Sequence, residues 1–424
     1  MSPPLSPHRL SPSALAPFRV RNFRFQWPAD LLTACAFEME TLILGWYVLV
    51  ETGSVVMLTV FGVLQLAGTL IAPMFGVAGD RLGHRNVLCS MRAAYMLLAA
   101  ILMSFAFAGA LDPLVVLVMT GLMGLIRPSD LGVRMALVGD TMPVEHLVPA
   151  MGVLRTTSDF ARIGGALTGA GLFAAFGIGI AYVAVLSCYT IGLMLTLCVK
   201  PTPIKQQAPA AVGGQIPPST WSDLKEGLAF AWTTPHLLAA LLVALLVNLS
   251  AYPLSNGLMP YVAKEIYHID QTGLGYLVAS FAIGALVGSL AVIVRGRIRA
   301  GRTMIVSTVA WYVVLVVFAQ MRDAYSGLVM LVLAGFAQSY CMVTLAVLLL
   351  RNTPEKFRGR IMGVRMLVIY SLPMGLLAAG ALIERIGFHA TATLYALTGL
   401  TLVLAIAVRW RKELWQPDAS ANAR

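Results

Sequence analysis

Seven charged residues lie deep inside apolar stretches of this sequence, where a charge is costly. A charge at the centre of a bilayer costs about 2.5–3.5 kcal/mol on insertion scales, so each one needs a partner or a role. The deep positions after residue 235 hold neutral polar groups such as Asn248, Asn256 and Gln338. The charged residues all precede residue 200 and are Glu38, Glu40, Arg127, Asp130, Arg134, Asp159 and Arg162.

Two of these carboxylates stand two positions apart in the first apolar stretch. Residues two apart on an α-helix point about 200° apart, so at most one of Glu38 and Glu40 faces a central cavity squarely. A carboxyl group in a low-dielectric site can exchange a proton near neutral pH. The pattern favours one of the two as a proton-coupling group. The alternative is an ion pair or a hydrogen bond to a neighbouring helix.

The remaining five charges form two stripes. Arg127, Asp130 and Arg134 follow the spacing i, i+3, i+7 and share one helix face. In the next stretch Asp159 and Arg162 are three positions apart and also share one face. The net positive charge of the first stripe suits an anionic or carboxylate-bearing substrate, or a carboxylate from the first stretch. Alternatively, the two stripes face and neutralise each other.

The composition explains what positions these residues. The chain has 424 residues, of which 58% are hydrophobic and only 12% charged, whereas a soluble domain has about 25% charged residues. Runs of about 20 apolar residues are long enough to cross a bilayer as helices. We therefore predict an all-α membrane protein with twelve transmembrane helices, at residues 27–50, 56–77, 87–110, 113–138, 150–173, 179–199, 236–262, 273–294, 304–321, 328–350, 361–382 and 390–408.

The helices divide into two bundles of six. The break between them contains several Pro and Gly residues, as a linker does, followed by a short amphipathic helix at 221–232. Arg and Lys cluster in alternate loops, which predicts that both termini are cytoplasmic. The predicted parts are a cytoplasmic arm 1–26 (with 18–26 at headgroup level), a bundle 27–199, a linker 200–235, a bundle 236–408 and a cytoplasmic tail 409–424.

Other functional classes fit poorly. The net charge of +11 comes from loop clusters between apolar runs, which argues against nucleic-acid binding. The five Cys residues have no metal-ligand or redox spacing, and no nucleotide-binding P-loop is present. The six His residues lie outside the predicted helices or at their ends. We therefore expect neither an enzyme nor a cofactor or metal site.

The two halves resemble each other in sequence. Gly124-Leu-Ile-Arg, Asp140-Thr-Met-Pro and Ala150-Met-Gly-Val have counterparts in Gly335-Phe-Ala-Gln, Asn352-Thr-Pro and Ile361-Met-Gly-Val, at an offset of 211 residues with one compensated single-residue gap. Three matches in register indicate a duplication. Repeated halves are typical of transporters with a site at the repeat interface.

One loop carries a specific motif, Gly76-Val-Ala-Gly-Asp80-Arg81-Leu-Gly83-His-Arg85. It resembles the signature loop of the major facilitator superfamily, G-x-x-x-D-[RK]-x-G-x-[RK]. The resemblance implies that Asp80 and Arg81 latch the two halves in the outward-open state, with residues 358–363 as the receiver. Gly76 would let two helices approach closely, and Gly83 would permit the turn. The alternative is a basic loop that only sets topology.

Further residues narrow the resemblance. Asn22-Phe-Arg-Phe-Gln-Trp27, Leu44-Gly-Trp46 and Arg358-Gly-Arg360 are similar to the bacterial branch with enterobactin-type siderophore exporters and macrolide-efflux-like proteins. The antiporter signature of the fifth helix normally contains Gly-Pro, and this chain has Gly164-Gly-Ala-Leu-Thr-Gly169 instead.

This resemblance implies a proton-coupled exporter of small organic molecules. It would work by alternating access in the bacterial inner membrane, as a monomer whose partners are a small-molecule substrate, protons and the lipid bilayer. The alternatives are a dedicated siderophore or metabolite exporter, and a transporter-like sensor or assembly protein without flux.

Overall fold

The protein is described here by a computed structural model that covers residues 16–200, 220–295 and 299–415. Helices and short turns account for this part of the chain, which contains no strand. The first bundle begins with the 3₁₀ turn Ala16–Arg19. Its spans are Arg21–Thr52 (span 1), Val55–Leu64 with Ala72–Leu82 (span 2), His84–Phe107 (span 3), Pro113–Thr141 (span 4) and the long element Val144–Leu197 (spans 5 and 6).

The second bundle repeats this arrangement after the linker helix Thr220–Thr233. Span 7 begins as the α-helix Pro235–Leu246 and continues through π-helical turns to residue 266. The short helix Arg411–Trp415 follows the last span. The other spans are Gln271–Arg295 (span 8), Ala300–Phe318 (span 9), Ala324–Arg351 (span 10), Glu355–Ile369 with Ser371–Ile386 (span 11) and Phe388–Arg409 (span 12).

The prediction of twelve spans agrees with these elements. Ten helices of the described chain are long and apolar enough to cross a membrane, and the two segments of span 2, bent by 46°, make an eleventh crossing. The element Val144–Leu197 has 54 residues and a non-helical break at Gly177. At 1.5 Å per residue it would be about 80 Å long, more than twice the thickness of the hydrocarbon layer. It therefore provides two crossings.

Span 1 begins six residues earlier than predicted. Residues 18–26 were expected at headgroup level outside the bundle, but the helix starts at Arg21. Phe23 and Gln26 are buried, and Phe23 packs with Val138 and Leu154 of spans 4 and 5. The segment was not predicted to pack because its basic residues make it polar overall, although one of its faces is apolar and buried.

The duplication is visible in the backbone. Asp112 and Asp323, again 211 residues apart, cap the N-termini of spans 4 and 10 with their carboxylates. Gly124 and Gly335 are also equivalent. A Cβ atom at either position would lie within about 2 Å of a carbonyl oxygen, that of Leu64 or Phe281. The same two helices therefore approach at backbone distance in both bundles.

The two bundles meet at one end of the molecule, which we call the Gly53 end. At this end the segment Val55–Leu64 of span 2 packs against the segment Ser371–Ile386 of span 11. We call these two the outer segments of their spans, and Ala72–Leu82 and Glu355–Ile369 the inner segments. The Ser54 hydroxyl lies 3.4 Å from Glu384 Oε1, and Lys264 Nζ lies 3.5 Å from the Leu49 carbonyl oxygen. These contacts close the space between the bundles at this end.

At the opposite end, which we call the Gly83 end, the corresponding segments pack mainly within their own halves. The inner segment of span 2 contacts spans 3 and 4. The inner segment of span 11 contacts the linker helix: Arg360 Nη1 lies 2.6 Å from Glu226 Oε2, and the rings of Phe230 and Phe357 stack at 4.4 Å. The predicted amphipathic helix thus exists and docks on the second bundle.

Candidate functional site

Glu38 and Arg162 form an ion pair near the middle of the two spans that carry them. Arg162 Nε of span 5 lies 3.7 Å from Glu38 Oε1 of span 1, and the two side chains are 36% and 25% exposed. Arg162 also interacts electrostatically with Asp159 and with Tyr252 of span 7. The pair therefore borders the space between the bundles, where both solvent and the second bundle reach it.

Glu40 points the other way, into the first bundle. Its two carboxylate oxygens accept hydrogen bonds from the phenols of Tyr182 and Tyr189 on span 6, at 3.1 and 3.0 Å. The side chain is buried. As the 200° separation requires, only one of the two glutamates borders the space between the bundles, and it is Glu38.

Arg127 binds neutral groups of its own bundle. Its guanidinium donates to Thr41 Oγ1 at 2.9 Å and to Gln65 Oε1 at 2.8 Å, and it lies 4.6 Å from the ring centroid of Phe37. Together with Glu40 these residues border a narrow cavity with room for about one water molecule. Arg127 thus ties span 4 to spans 1 and 2, and the cavity is too small for an organic substrate.

The other members of the span 4 stripe pair with each other. Asp130 and Arg134 are buried, and Arg134 Nε lies 2.6 Å from Asp130 Oδ2. The Arg134 carbonyl oxygen accepts a hydrogen bond from the Gln26 amide at 3.1 Å. Arg127, Asp130 and Arg134 thus have partners on spans 1, 2 and 4, and Arg162 pairs with Glu38 of span 1.

Arg92 lies near the end of span 3, but its side chain turns into the bundle. Its side chain and that of Asp30 are fully buried and form an ion pair. The guanidinium also donates to the Thr196 hydroxyl and to the Gly192 carbonyl oxygen. Sequence reasoning missed Asp30 because it lies close to the start of the predicted first helix, where a charge costs little.

The second bundle has neutral and aromatic groups around Tyr252. Gln338 donates to the Tyr252 hydroxyl at 2.6 Å, and the rings of Tyr252 and Trp311 meet edge to face at 5.3 Å. Trp311 donates to the Ser255 hydroxyl at 3.3 Å. Tyr252 also interacts electrostatically with Arg162 of the first bundle. A substrate between the bundles would meet an ion pair on one side and aromatic and amide groups on the other.

The signature loop lies at the Gly83 end. Gly83 has φ +85° and ends the inner segment of span 2, as expected for the turn. Gly76 makes no close helix contact in this conformation, because a Cβ atom there would have nothing within 4 Å. Arg81 is exposed, and Arg85 donates to the Leu197 carbonyl oxygen at 2.6 Å.

Asp80 does not bind residues 358–363 in this conformation. Its carboxylate is 64% exposed and lies 3.7 Å from His84 Nε2, while His84 Nδ1 is 2.7 Å from Asp140 Oδ2. The predicted receiver is engaged by the linker helix through Arg360. The latch remains a prediction for another conformation.

Two tyrosines and one glutamine were also missed. Tyr182 and Tyr189 are seven residues apart, which places them on one face of span 6, so their spacing was a usable signal. Gln65 had no such signal, because it stands alone next to the break in span 2. Within the described part of the chain, no group of three His, Cys, Asp or Glu side chains is placed to hold a metal ion.

Comparison with known proteins agrees with this architecture. The chain matches the sequence profile of the Major Facilitator Superfamily over residues 29–376 and 254–423. It is 26% identical over 398 residues to the multidrug efflux pump Tap of Mycolicibacterium fortuitum, covering 90% of this chain and 95% of that protein. It is 27% identical over 405 residues to Tap of Mycobacterium tuberculosis (strain ATCC 25618 / H37Rv), covering 90% and 92%.

A solved structure confirms the fold. The POT family transporter PepTSo superimposes with a TM-score of 0.73 at 13% identity, covering 93% of this chain and 99% of that one. At this identity the match concerns the fold alone. The profile match spans both bundles, the relatives are similar along nearly their whole length, and the helices form the same two-bundle architecture. The chain is therefore a multi-pass membrane transporter that belongs to the major facilitator superfamily.

Proposed function

We propose that this protein is a proton-coupled exporter of small organic molecules that works by alternating access in the bacterial inner membrane, with both termini in the cytoplasm. The observation that carries the proposal is the Glu38–Arg162 pair, which is partly exposed in the space between the bundles. Export is favoured because the relatives described above are named multidrug efflux pumps.

The pair provides a simple route to exchange of substrate for protons. Ionised Glu38 attracts Arg162 across 3.7 Å. A proton on Glu38 removes that attraction and leaves the guanidinium to solvent or to the neighbouring Asp159 and Tyr252. A substrate that needs the ionised carboxylate, or the space beside it, then competes with the proton. Such competition makes one turnover carry substrate in one direction and a proton in the other.

Glu40 is less suited to this role. Both its oxygens already accept hydrogen bonds from phenols, and it lies inside the first bundle rather than between the bundles. Its contacts hold spans 1 and 6 together, as a structural carboxylate would. We therefore assign proton coupling to Glu38 and a structural role to Glu40.

The conformation in the structure fits one state of the proposed cycle. Contacts between the bundles are formed at the Gly53 end, and the inner segments of spans 2 and 11 pack mainly within their own halves at the Gly83 end. With the termini in the cytoplasm, the Gly83 end is cytoplasmic, and this state would receive substrate from the cell interior. The breaks in spans 2 and 11 separate the outer segments, which hold the closed end, from the inner ones.

The test uses energised inverted membrane vesicles and a panel of drugs, dyes and siderophores. Addition of a transported compound should release protons from vesicles with the wild-type protein. Glu38→Gln should lower this release at least about tenfold, since its amide cannot exchange a proton, while substrate exchange without a proton gradient persists. Glu38→Asp should retain coupling. The matched control Glu51→Gln lies at the end of the same helix and should behave as wild type.

Each other outcome has a defined meaning. Wild-type proton release by Glu38→Gln would refute the assignment, and its loss only in correctly folded Glu40→Gln would move coupling to Glu40. A response to siderophores alone would point to dedicated metabolite export. Absence of flux for the whole panel, from protein that is folded and inserted, would refute multidrug export.

A further inference from the structure

A groove on the outside of the second bundle has features that transport between the bundles does not use. Spans 8 and 9 each pack extensively on span 10. The groove lies beside span 9, with Arg295 of span 8 at its mouth and span 10 as its floor, and has a volume of about 670 Å³. This lies within the usual range for small-molecule sites, roughly 300–1,000 Å³.

The mouth of the groove is strongly basic. Arg295 at the end of span 8 and Arg299 and Arg302 at the start of span 9 all line it, and all three are exposed. The lining contains no acidic residue. Within the described chain these three guanidinium groups form no ion pair. The N-terminus of span 9 adds a partial positive charge at the same place.

The rest of the groove is largely apolar and runs along the membrane-crossing part of the spans. Val306 and Ala310 continue the stripe begun by Arg299 and Arg302 on span 9, and Phe336 and Tyr340 line the floor on span 10. From Arg299 to Ala310 a helix rises about 16 Å, which is half the thickness of the hydrocarbon layer. The groove thus joins a cationic mouth to an apolar channel one leaflet deep.

The first bundle has an equivalent groove without the charge. It lies between spans 2, 3 and 4, has a volume of about 470 Å³, and its lining contains no Arg, Lys, Asp or Glu. Ile126 on its floor is related to Ala337 of the second groove by the 211-residue repeat. The groove itself therefore follows from the duplicated fold, whereas the three arginines are specific to the second half.

We propose that the groove beside spans 8, 9 and 10 binds one anionic phospholipid. Its phosphate contacts Arg295, Arg299 and Arg302, and one acyl chain lies along Val306, Ala310 and Phe336. Basic pockets between spans are suited to anionic headgroups. The apolar channel below the mouth selects a lipid over a free anion, because an inorganic phosphate would leave that surface uncovered. This site goes beyond the proposed export function and does not depend on it.

The test measures the thermal unfolding midpoint of delipidated protein in detergent, titrated with defined lipids of identical acyl chains. Phosphatidylglycerol should raise the midpoint with saturation, while phosphatidylcholine and inorganic phosphate should not at the same concentration. Each basic residue near a lipid surface contributes about fivefold in affinity. Arg299→Gln with Arg302→Gln should therefore weaken phosphatidylglycerol binding about 30-fold.

Two further variants separate the groove from a general charge effect. Arg322→Gln with Arg385→Gln removes two exposed arginines at the Gly53 end and should leave the titration unchanged. Ala310→Phe keeps every arginine but fills the channel, and should weaken binding of the lipid. The proposal is overturned if phosphatidylcholine or phosphate stabilises the wild type equally, if the double Arg299/Arg302 variant binds like wild type, or if the Arg322/Arg385 variant loses the effect to the same extent.

Discussion

Replacing Asp30 by Asn would leave the guanidinium of Arg92 charged, fully buried and without its counter-ion. Both side chains are 0% exposed, and the Gly192 carbonyl oxygen at 3.3 Å and the Thr196 hydroxyl are the other acceptors of that guanidinium. Breaking a buried ion pair by removing one partner costs about 3–5 kcal/mol. Asp30→Asn should therefore lower the free energy of unfolding by about that amount.

The same reasoning gives the opposite result when both charges are removed. Replacement of a buried ion pair by apolar residues of similar volume is often nearly neutral. The double variant Asp30→Leu with Arg92→Met should therefore be more stable than Asp30→Asn alone, although it still loses the hydrogen bonds to Thr196 and Gly192. A double variant that is more stable than Asp30→Asn shows that the two buried charges compensate each other.

The assay is denaturant- or heat-induced unfolding of purified protein in detergent, followed by tryptophan fluorescence. Glu226→Gln is the matched control, because its carboxylate is 52% exposed and exposed ion pairs contribute at most about 1 kcal/mol. An unfolding midpoint of Asp30→Asn equal to wild type, or a double variant as unstable as the single one, would refute the assignment of a buried, mutually compensating pair.

Two further predictions concern the duplicated elements. Gly124→Ala would place a Cβ atom 1.9 Å from the Leu64 carbonyl oxygen and should destabilise the protein by about 1–3 kcal/mol. The control Gly132→Ala on the same helix would place a Cβ atom with nothing within 4 Å and should be neutral or slightly stabilising. Equal unfolding midpoints of the two variants would contradict the backbone contact. The hydrogen bond from the Ser326 hydroxyl, and then the one from its backbone amide, lower the pKa of Asp323. The contribution of this cap to stability is therefore complete above about pH 4 and is lost as the pH falls through the lowered pKa of the folded state. The difference in unfolding midpoint between wild type and Asp323→Ala should therefore shrink below about pH 4, and a constant difference from pH 7 to pH 3 would show that ionisation of the cap does not matter.

The sequence predicts the spans well because hydropathy is a local property. Every predicted apolar run corresponds to a helical crossing, and the offset of 211 residues reappears in the caps Asp112 and Asp323. The family follows from the motif around Asp80 and is confirmed by the profile match. Bounds were less accurate where a charged segment packs on one face only, as at Phe23.

The partners of the intramembrane charges could not be predicted from the sequence. The rotation of each helix decides whether Glu38 or Glu40 borders the space between the bundles, and that rotation is set by contacts with residues more than 100 positions away, such as Tyr182 and Arg162. The same holds for Arg92, which lies near the end of span 3 but whose side chain turns inward to Asp30.

The linker helix has a further effect through its attachment to the second bundle. Because Thr220–Thr233 is fastened to span 11 by Glu226–Arg360 and by the stacked rings of Phe230 and Phe357, it travels with the second bundle as a rigid appendage. A fluorophore on its exposed Leu228 would therefore report the position of that whole bundle. A second fluorophore at the exposed Arg81 would report the position of the first bundle. The distance between the two labels would then measure the relative motion of the two bundles, with no residue substituted inside the membrane-spanning segments.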